Sequence, residues 1–240
     1  MHIRERLKAC QAAGTAVLAT NFYNFETLTA VLKAARAVDA PVLLQLTRSS
    51  IDYMGLEQAV RMGRQGLADY GLEGWIHLDH GPSVELARPY GANVEAELGY
   101  VAKLGQRQGG GFTTPEEAAR FVRETGVDAL AVAIGSAHGF YRETPHLDME
   151  RLKAIRAATD AVLVLHGSSG IPHPMVREAI AAGISKVNLA TEIKDTFMRS
   201  LKGVLTASDE IDLRKVFPKA VEPVTALLEE KYRMTGTARR

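Results

Sequence analysis

The amino-acid sequence predicts an α/β fold built on a parallel sheet. Three observations carry that reading. Short apolar runs alternate with amphipathic helical patterns along most of the chain. The runs are almost wholly apolar, as strands covered on both faces are. Three of them end alike, in a histidine followed by glycine, which places equivalent groups at the same ends of parallel strands.

Taken in order, the N-terminal MHIRERLKACQAAG is a charged helical pattern without the apolar stretch of a signal peptide. Strands are expected at Thr15–Ala19, Val42–Leu46, Trp75–Leu78, Asn93–Leu98, Ala129–Ile134, Ala161–Leu165 and Ser185–Leu189. Helical patterns fall at Glu26–Val38, Leu56–Asp69, Pro115–Thr125, Met149–Thr159 and Pro174–Ala182. Thr114-Pro115-Glu116-Glu117 is a helix start: a capping hydroxyl, a proline in the first turn, then acids at the positive end of the helix dipole. Pro174 opens another helix, and Gly126 and Gly183 close two. Gly109-Gly110-Gly111 reads as a flexible loop inside the domain. After about residue 202 the chain continues as a helical tail, with an amphipathic stretch at Asp212–Tyr232. Seven strands are one fewer than a closed barrel of this class needs, and the gap falls between Leu86 and Gly91. The expected architecture is a TIM (β/α)8-type barrel lacking one central βα unit, a single domain over residues 1–240.

Composition narrows the function. A hydrophobic fraction of 46% with 24% charged residues provides for a buried core. A net charge of +1 argues against a nucleic-acid surface or a polybasic membrane patch. No segment approaches the roughly 20 apolar residues of a membrane span. The lone Cys10 cannot form an intramolecular disulfide and reads as a core residue of the first helix. A cytoplasmic location is expected.

The chemistry-bearing residues gather at strand ends. WIHLDHG, AVAIGSAHG and VLVLHG place His80, His138 and His166 at the C-terminal ends of three strands, where a parallel barrel keeps its active site. Three imidazoles with an open position describe a catalytic zinc site. Asp79, just before His80, is placed to act as a general acid or base, or to orient an imidazole. His77 reads as a buried, hydrogen-bonded core residue, and His2, His146 and His173 as surface residues. The HGSSG turn at His166–Gly170 and the NLATE turn at Asn188–Glu192 are two anion-cradle signals on the last two strands.

At these residues the chain resembles the class II, metal-dependent family of fructose-bisphosphate and tagatose-bisphosphate aldolases. The matching stretches are NFYNFET, HLDHGPS, NVEAELG, VDALAVAIGSAHGFY, LVLHGSSGI, KVNLATE and DLRKVF, in the family's order from Asn21 to Phe217. KVNLATE is closer to the tagatose-type branch. The resemblance implies reversible cleavage of a ketose (bis)phosphate, such as fructose- or tagatose-1,6-bisphosphate, into dihydroxyacetone phosphate and an aldehyde through a zinc-stabilised enediolate. It implies His80, His138 and His166 as zinc ligands, Asp79 as the acid/base at the aldehyde oxygen, and Glu97 as a carboxylate near the metal. Gly139, Gly167, Ser169, Asn188 and Thr191 match positions that hold the ketone-phosphate. The carbonyls around Gly139 and Gly167 match a monovalent-cation site for Na+ or K+. Asn21 and Thr47 match polar pocket positions, and Arg214 an arginine that reaches a second phosphate, including one in a neighbouring subunit. A homodimer or homotetramer is implied.

Two departures stand out. Family members carry a strand and helix after the position of Leu86; here the chain runs directly into RPYGANVEAELG. No Glu or Asp lies between Glu97 and Glu116, so proton transfer at the enediolate has no evident owner; Gln106 and Gln108 are polar but not bases. Two other readings remain. A Schiff-base aldolase would use a strand-end lysine, for which Lys186 is the candidate, although it reads better as a strand residue snorkelling outward. A barrel short of one unit could also be a catalytically impaired, sugar-phosphate-binding relative.

Overall fold

Strong alternation of caps and apolar runs produces the expected succession of elements. The computed structural model describes residues 1–81, 83, 85, 87–99, 101 and 111–239. In chain order they form α1 (Ile3–Ala13), β1 (Val17–Asn21), α2 (Phe25–Val38), β2 (Val42–Thr47), α3 (Arg48–Met54), α4 (Leu56–Asp69), β3 (Gly74–Asp79), β4 (Glu95–Leu98), α5 (Pro115–Thr125), β5 (Ala129–Val132), α6 (Met149–Ala158), β6 (Val162–Leu165), α7 (His173–Ala181), β7 (Ile184–Leu189), α8 (Thr191–Ala207) and α9 (Leu213–Met234). Among the described residues there are seven strands, and every pairing described below is parallel. The fold is α/β of the TIM-barrel type, one strand–helix unit short of the closed eight. Between β3 and β4 the described residues hold only a short 3-10 turn, Arg88–Tyr90. Leu86, Gln106, Gln108, Gly109 and Gly110 lie outside the described residues.

The chain divides into two compact units. The first comprises Met1–Val17, Pro82–Leu189 and Met234–Gly236. Its strands run in the order β7-β6-β5-β4. β5 and β6 are buried at every position, which fits a sheet covered on both faces. α1 packs its Leu7 and Cys10 side toward β6 and β7, so Cys10 is the core residue its sequence suggests. α5 carries the expected cap: Thr114 Oγ1 accepts from the Glu117 N–H, and the Glu117 carboxylate accepts from the Thr114 N–H.

The second unit comprises Leu18–Gly81, Ala190–Arg233 and Thr237–Arg240. Its strands run β1-β2-β3. α2 buries Leu28, Val31, Leu32, Ala35 and Val38, one helical stripe, and packs beside α4. α8 and α9 are tied by a buried ion pair, Lys231 Nζ to Glu192, at 2.8 Å.

Boundaries moved for identifiable reasons. β1 lies two residues later than its expected Thr15–Ala19. Gly14 closes α1 in the left-handed region, and the Thr15 and Ala16 N–H groups are spent on Cys10 O and Thr235 O. Thr20 and Asn21, polar in sequence, continue the strand fully buried because they pair with Leu44 and Gln45 of β2. Residue 202, where the tail was expected to begin, falls inside α8, and the following helix is α9. β3 and β4 are only half-buried, and Leu78 is 47% exposed. These two strands flank the position of the absent unit in sequence.

Removing one partner of the buried α8–α9 pair leaves the other's charge without its counter-ion. Lys231→Met should destabilise by about 3–5 kcal/mol, lowering the melting temperature by on the order of 10 °C. Adding Glu192→Leu should restore most of that loss in the same thermal scan.

Candidate active site

Strand ends and tight turns build the candidate site of the first unit. β6 ends at Leu165, and His166 follows it, 5% exposed. Gly167 then turns the chain at φ 68°, where a Cβ would strike the backbone of Ala137. This close approach brings the loop after β5 beside the loop after β6. Gly135 folds the loop after β5 onto itself: at φ 113° its Cβ would strike the His146 carbonyl. The Tyr141 hydroxyl staples the two loops, donating to Gly167 O (2.8 Å) and accepting from the Ala137 N–H (2.6 Å). His138 thereby stands with its ring 5.9 Å from that of His166.

β4 supplies two carboxylates, Glu95 and Glu97. Positions i and i+2 of a strand share a face, so both point to the same side. His166 lies between them: Nδ1 is 2.6 Å from Glu97 and Nε2 2.9 Å from Glu95. Glu95 in turn accepts from Lys186 Nζ, 2.7 Å from its Oε2. β4 and β7 are the outer strands of this order, about 14 Å apart in a flat sheet. Their side chains can meet only because the sheet curls, and the small Ala129 and Ala131 in the intervening row leave room. Glu97, His138 and His166 present ligand atoms within 4.8 Å of one another. One carboxylate and two imidazoles are a donor set suited to a borderline divalent cation such as zinc.

Burial by itself would lower the His166 pKa. The hydrogen bonds to Glu95 and Glu97 and the Glu95 charge outweigh it and raise the pKa to about 9.

Of the phosphate-cradle residues, Gly139, Gly167, Ser169 and Asn188 fall in this unit. Ser168 and Ser169 are buried, and Ser168 Oγ donates to Asn188 O at 2.6 Å, tying the turn after β6 to the end of β7. Asn188 Oδ1 and Ser136 Oγ are buried and accept no protein hydrogen bond. Gly139 takes φ 103° beside His138.

In the second unit, Asp79 ends β3 and is 8% exposed. Asn21 Nδ2 donates to its Oδ2 at 2.9 Å. His80 follows in the left-handed region at φ 60°, its Nε2 3.9 Å from Asp79 Oδ1. That conformation turns the chain at the strand end, so Asp79 and the next side chain need not point to opposite faces. Burial, and then the Asp79 charge, push the Tyr23 phenol well above its ordinary range, and Lys194 Nζ sits 5.3 Å over the Tyr23 ring. Asn21, Gln45 and His77 are register partners across β1-β2-β3, as are Thr47 and Asp79. Neither amide atom of the fully buried Gln45 bonds a protein atom. Thr47 caps α3, accepting from the Ser50 N–H. Thr191 opens α8. Arg214 is exposed and forks onto Asp212 at 2.9 and 3.0 Å.

Some expectations need correction. Lys186 does not snorkel outward: it is 1% exposed and paired with Glu95. A bulge between β6 and β7 sets Lys186, not Ser185, opposite Val164 and so into the row that contains Glu97. His77 is half-buried rather than buried, and His173 is half-buried rather than a surface residue. Glu95, Tyr141, Tyr23 and Gln45 escaped the sequence analysis. Only Glu95 had a local signal, its two-residue spacing from Glu97.

The raised His166 pKa makes the metal-free protein's stability pH-dependent. The imidazolium contribution is fully present below about 6.5, the ordinary value, and is lost as pH rises through about 9. Thermal unfolding of metal-free protein should therefore show stability falling across that window by on the order of 1–3 kcal/mol. A flat profile there would contradict the assigned hydrogen bonds.

The sequence matches the model of the class-II fructose-bisphosphate aldolases in two overlapping pieces, residues 1–88 and 82–240. The division falls where the strand–helix unit is absent. Among solved structures, the chain is similar to the YdjI aldolase from Escherichia coli K12, with 27% identity and a TM-score of 0.85, over 99% of this chain and 97% of that one. It shares its fold with a fructose-bisphosphate aldolase from Campylobacter jejuni, with 18% identity and a TM-score of 0.76, over 98% of this chain and 94% of that one. With the family matched from end to end, the chain belongs to the class-II fructose-bisphosphate aldolases and is an aldolase, a carbon–carbon lyase.

Proposed function

We propose that this aldolase reversibly cleaves a ketose (bis)phosphate, such as fructose- or tagatose-1,6-bisphosphate, into dihydroxyacetone phosphate and an aldehyde, and that it is zinc-dependent. The observation that carries the reading is the grouping of Glu97, His138 and His166, with ligand atoms within 4.8 Å. His80 is the third imidazole of the proposed ligand set, with Glu97 beside the ion. A divalent cation supplies Lewis-acid stabilisation of negative charge on the ketose oxygens.

The chain's own residues do the rest. Asp79 takes the proton from the hydroxyl at the cleaving carbon and returns it in the synthetic direction. The Asn21 bond to Oδ2 holds that carboxylate and leaves Oδ1 for the substrate. Gly139, Gly167, Ser169, Asn188 and Thr191 hold the ketone-phosphate through turn N–H groups and hydroxyls. The unbonded Asn188 Oδ1 and Gln45 amide are groups of the kind that orient a sugar's hydroxyls. Asn21 and Thr47 line the pocket. Arg214, exposed at the start of α9, is the candidate for a second phosphate, including one bound to a neighbouring subunit of a homodimer or homotetramer. Carbonyls around Gly139 and Gly167 would take a Na+ or K+ ion. The proposed enzyme is cytoplasmic and works as one barrel domain; no described helix is long and apolar enough to cross a membrane.

The lysine alternative is disfavoured by burial. A Schiff-base nucleophile must be accessible and neutral when it attacks, whereas Lys186 is enclosed and ion-paired with Glu95. A catalytically impaired relative would bind zinc and sugar phosphate without cleaving it.

Chelation should abolish cleavage of ketose bisphosphates, and zinc should restore it; borohydride with substrate should trap no adduct. Asp79→Asn should lower kcat by roughly 10²–10⁴-fold while metal content, read by elemental analysis, stays unchanged. Cleavage that survives metal removal would refute the zinc assignment. Metal bound without cleavage of any ketose bisphosphate would favour the impaired reading.

A further inference from the structure

Lys186 and Glu95 form a buried ion pair behind a proposed metal ligand. Their side chains are 1% and 10% exposed, and that of His166 is 6% exposed. Glu95 bonds both neighbours at once: Oε1 is 2.9 Å from His166 Nε2, and Lys186 Nζ reaches both carboxylate oxygens, at 2.9 and 2.7 Å. The other ring nitrogen, Nδ1, faces Glu97, which belongs to the ligand group; Glu95 does not. One ring nitrogen thus faces a member of the ligand group and the other a carboxylate outside it.

A buried pair of this kind is a poor device for stability alone. Apolar residues of similar volume in its place are commonly neutral or stabilising, and the surrounding rows are already alanine and valine. A ligating imidazole, in contrast, gains from a carboxylate on its other nitrogen. That carboxylate fixes the tautomer, orients the ring and raises its basicity toward the metal. The carboxylate must itself be held and charge-balanced, and Lys186 does both.

We propose that Glu95 and Lys186 are positioning residues for the metal centre, Glu95 orienting His166 through Nε2 so that Nδ1 faces the ion, and Lys186 holding Glu95 in place. This rests on the reading of Glu97, His138 and His166 as metal ligands. It assigns the lysine a role without any covalent chemistry, and it accounts for a charged residue buried inside β7.

The test uses the full chain, stripped of metal and titrated with Zn2+ against a chromophoric chelator, then with Co2+ for its visible absorption bands. Glu95→Gln removes the carboxylate charge and leaves the Lys186 ammonium near the ion; Zn2+ affinity should fall roughly 10–100-fold, with displaced Co2+ bands. Glu95→Gln/Lys186→Met leaves no uncompensated buried charge. Its metal-free melting temperature should return toward wild type, yet its Zn2+ affinity should stay about tenfold low, with the bands still displaced. If Glu95→Gln does not fold, the double variant decides. A folded variant with wild-type affinity and wild-type Co2+ bands overturns the proposal and leaves the pair as sheet packing. Wild-type protein that takes up neither ion overturns the metal-site reading itself, which is a separate result.

Discussion

Placing ionisable groups inside a sheet is the constraint around which the first unit is organised. His166, Glu95 and Lys186 are enclosed against β7-β6-β5-β4, where an isolated charge would be costly, and the more exposed Glu97 meets His166 from the edge. The cost is met by alternation. Lysine faces carboxylate, carboxylate faces imidazole, and imidazole faces a second carboxylate, with contacts of 2.6–2.9 Å throughout. That chain of contacts needs a curled sheet to bring β4 and β7 within reach. It needs alanines at Ala129 and Ala131 for space, and a bulge that swings Lys186 inward. It also needs glycine at Gly167, because a side chain there would push Ala137, and His138 with it, away from His166.

The second unit treats its carboxylate differently. Asp79 has one firm side-chain donor, Asn21, and a histidine at a longer distance. Among the described residues only Oδ2 accepts a hydrogen bond. A group proposed to take and return protons is better left in that state than locked between two partners. Glu95 shows the contrast: both of its oxygens contact Lys186, and one also contacts His166, an arrangement for holding rather than exchanging. The two acids thus differ in role although both lie within two residues of a histidine or carboxylate used by the site.

The half-exposed strands β3 and β4 show what the absent strand–helix unit would have covered. A closed barrel leaves no edge, whereas here the sequence passes from Asp79 to Glu95 with a single 3-10 turn among the described residues. Asp79, Glu95 and Glu97 sit on these two strands and His80 follows β3, so the chain keeps these carboxylates where it has given up sheet cover. The family match breaks at the same point and resumes on both sides.

The sequence by itself determined the α/β class, the seven strands, the absent unit and the strand-end histidines. These are local properties: apolar runs, caps and glycines speak within a window of about ten residues. It also marked Asp79, through its place at a strand end, and Glu97, through motif resemblance rather than periodicity. Tertiary structure alone decided which groups meet. His166 contacts carboxylates 69 and 71 positions away, and Lys186 reaches a carboxylate 91 positions away. No alternation pattern could show that Lys186 points inward, because both faces of β7 are buried and a bulge resets its register. Thr20 and Asn21 fell outside the expected strand for the related reason that their cover comes from β2, and the ladder that buries them is a contact between strands. Periodicity reports which residues leave water; only the folded sheet reports which of them then face one another.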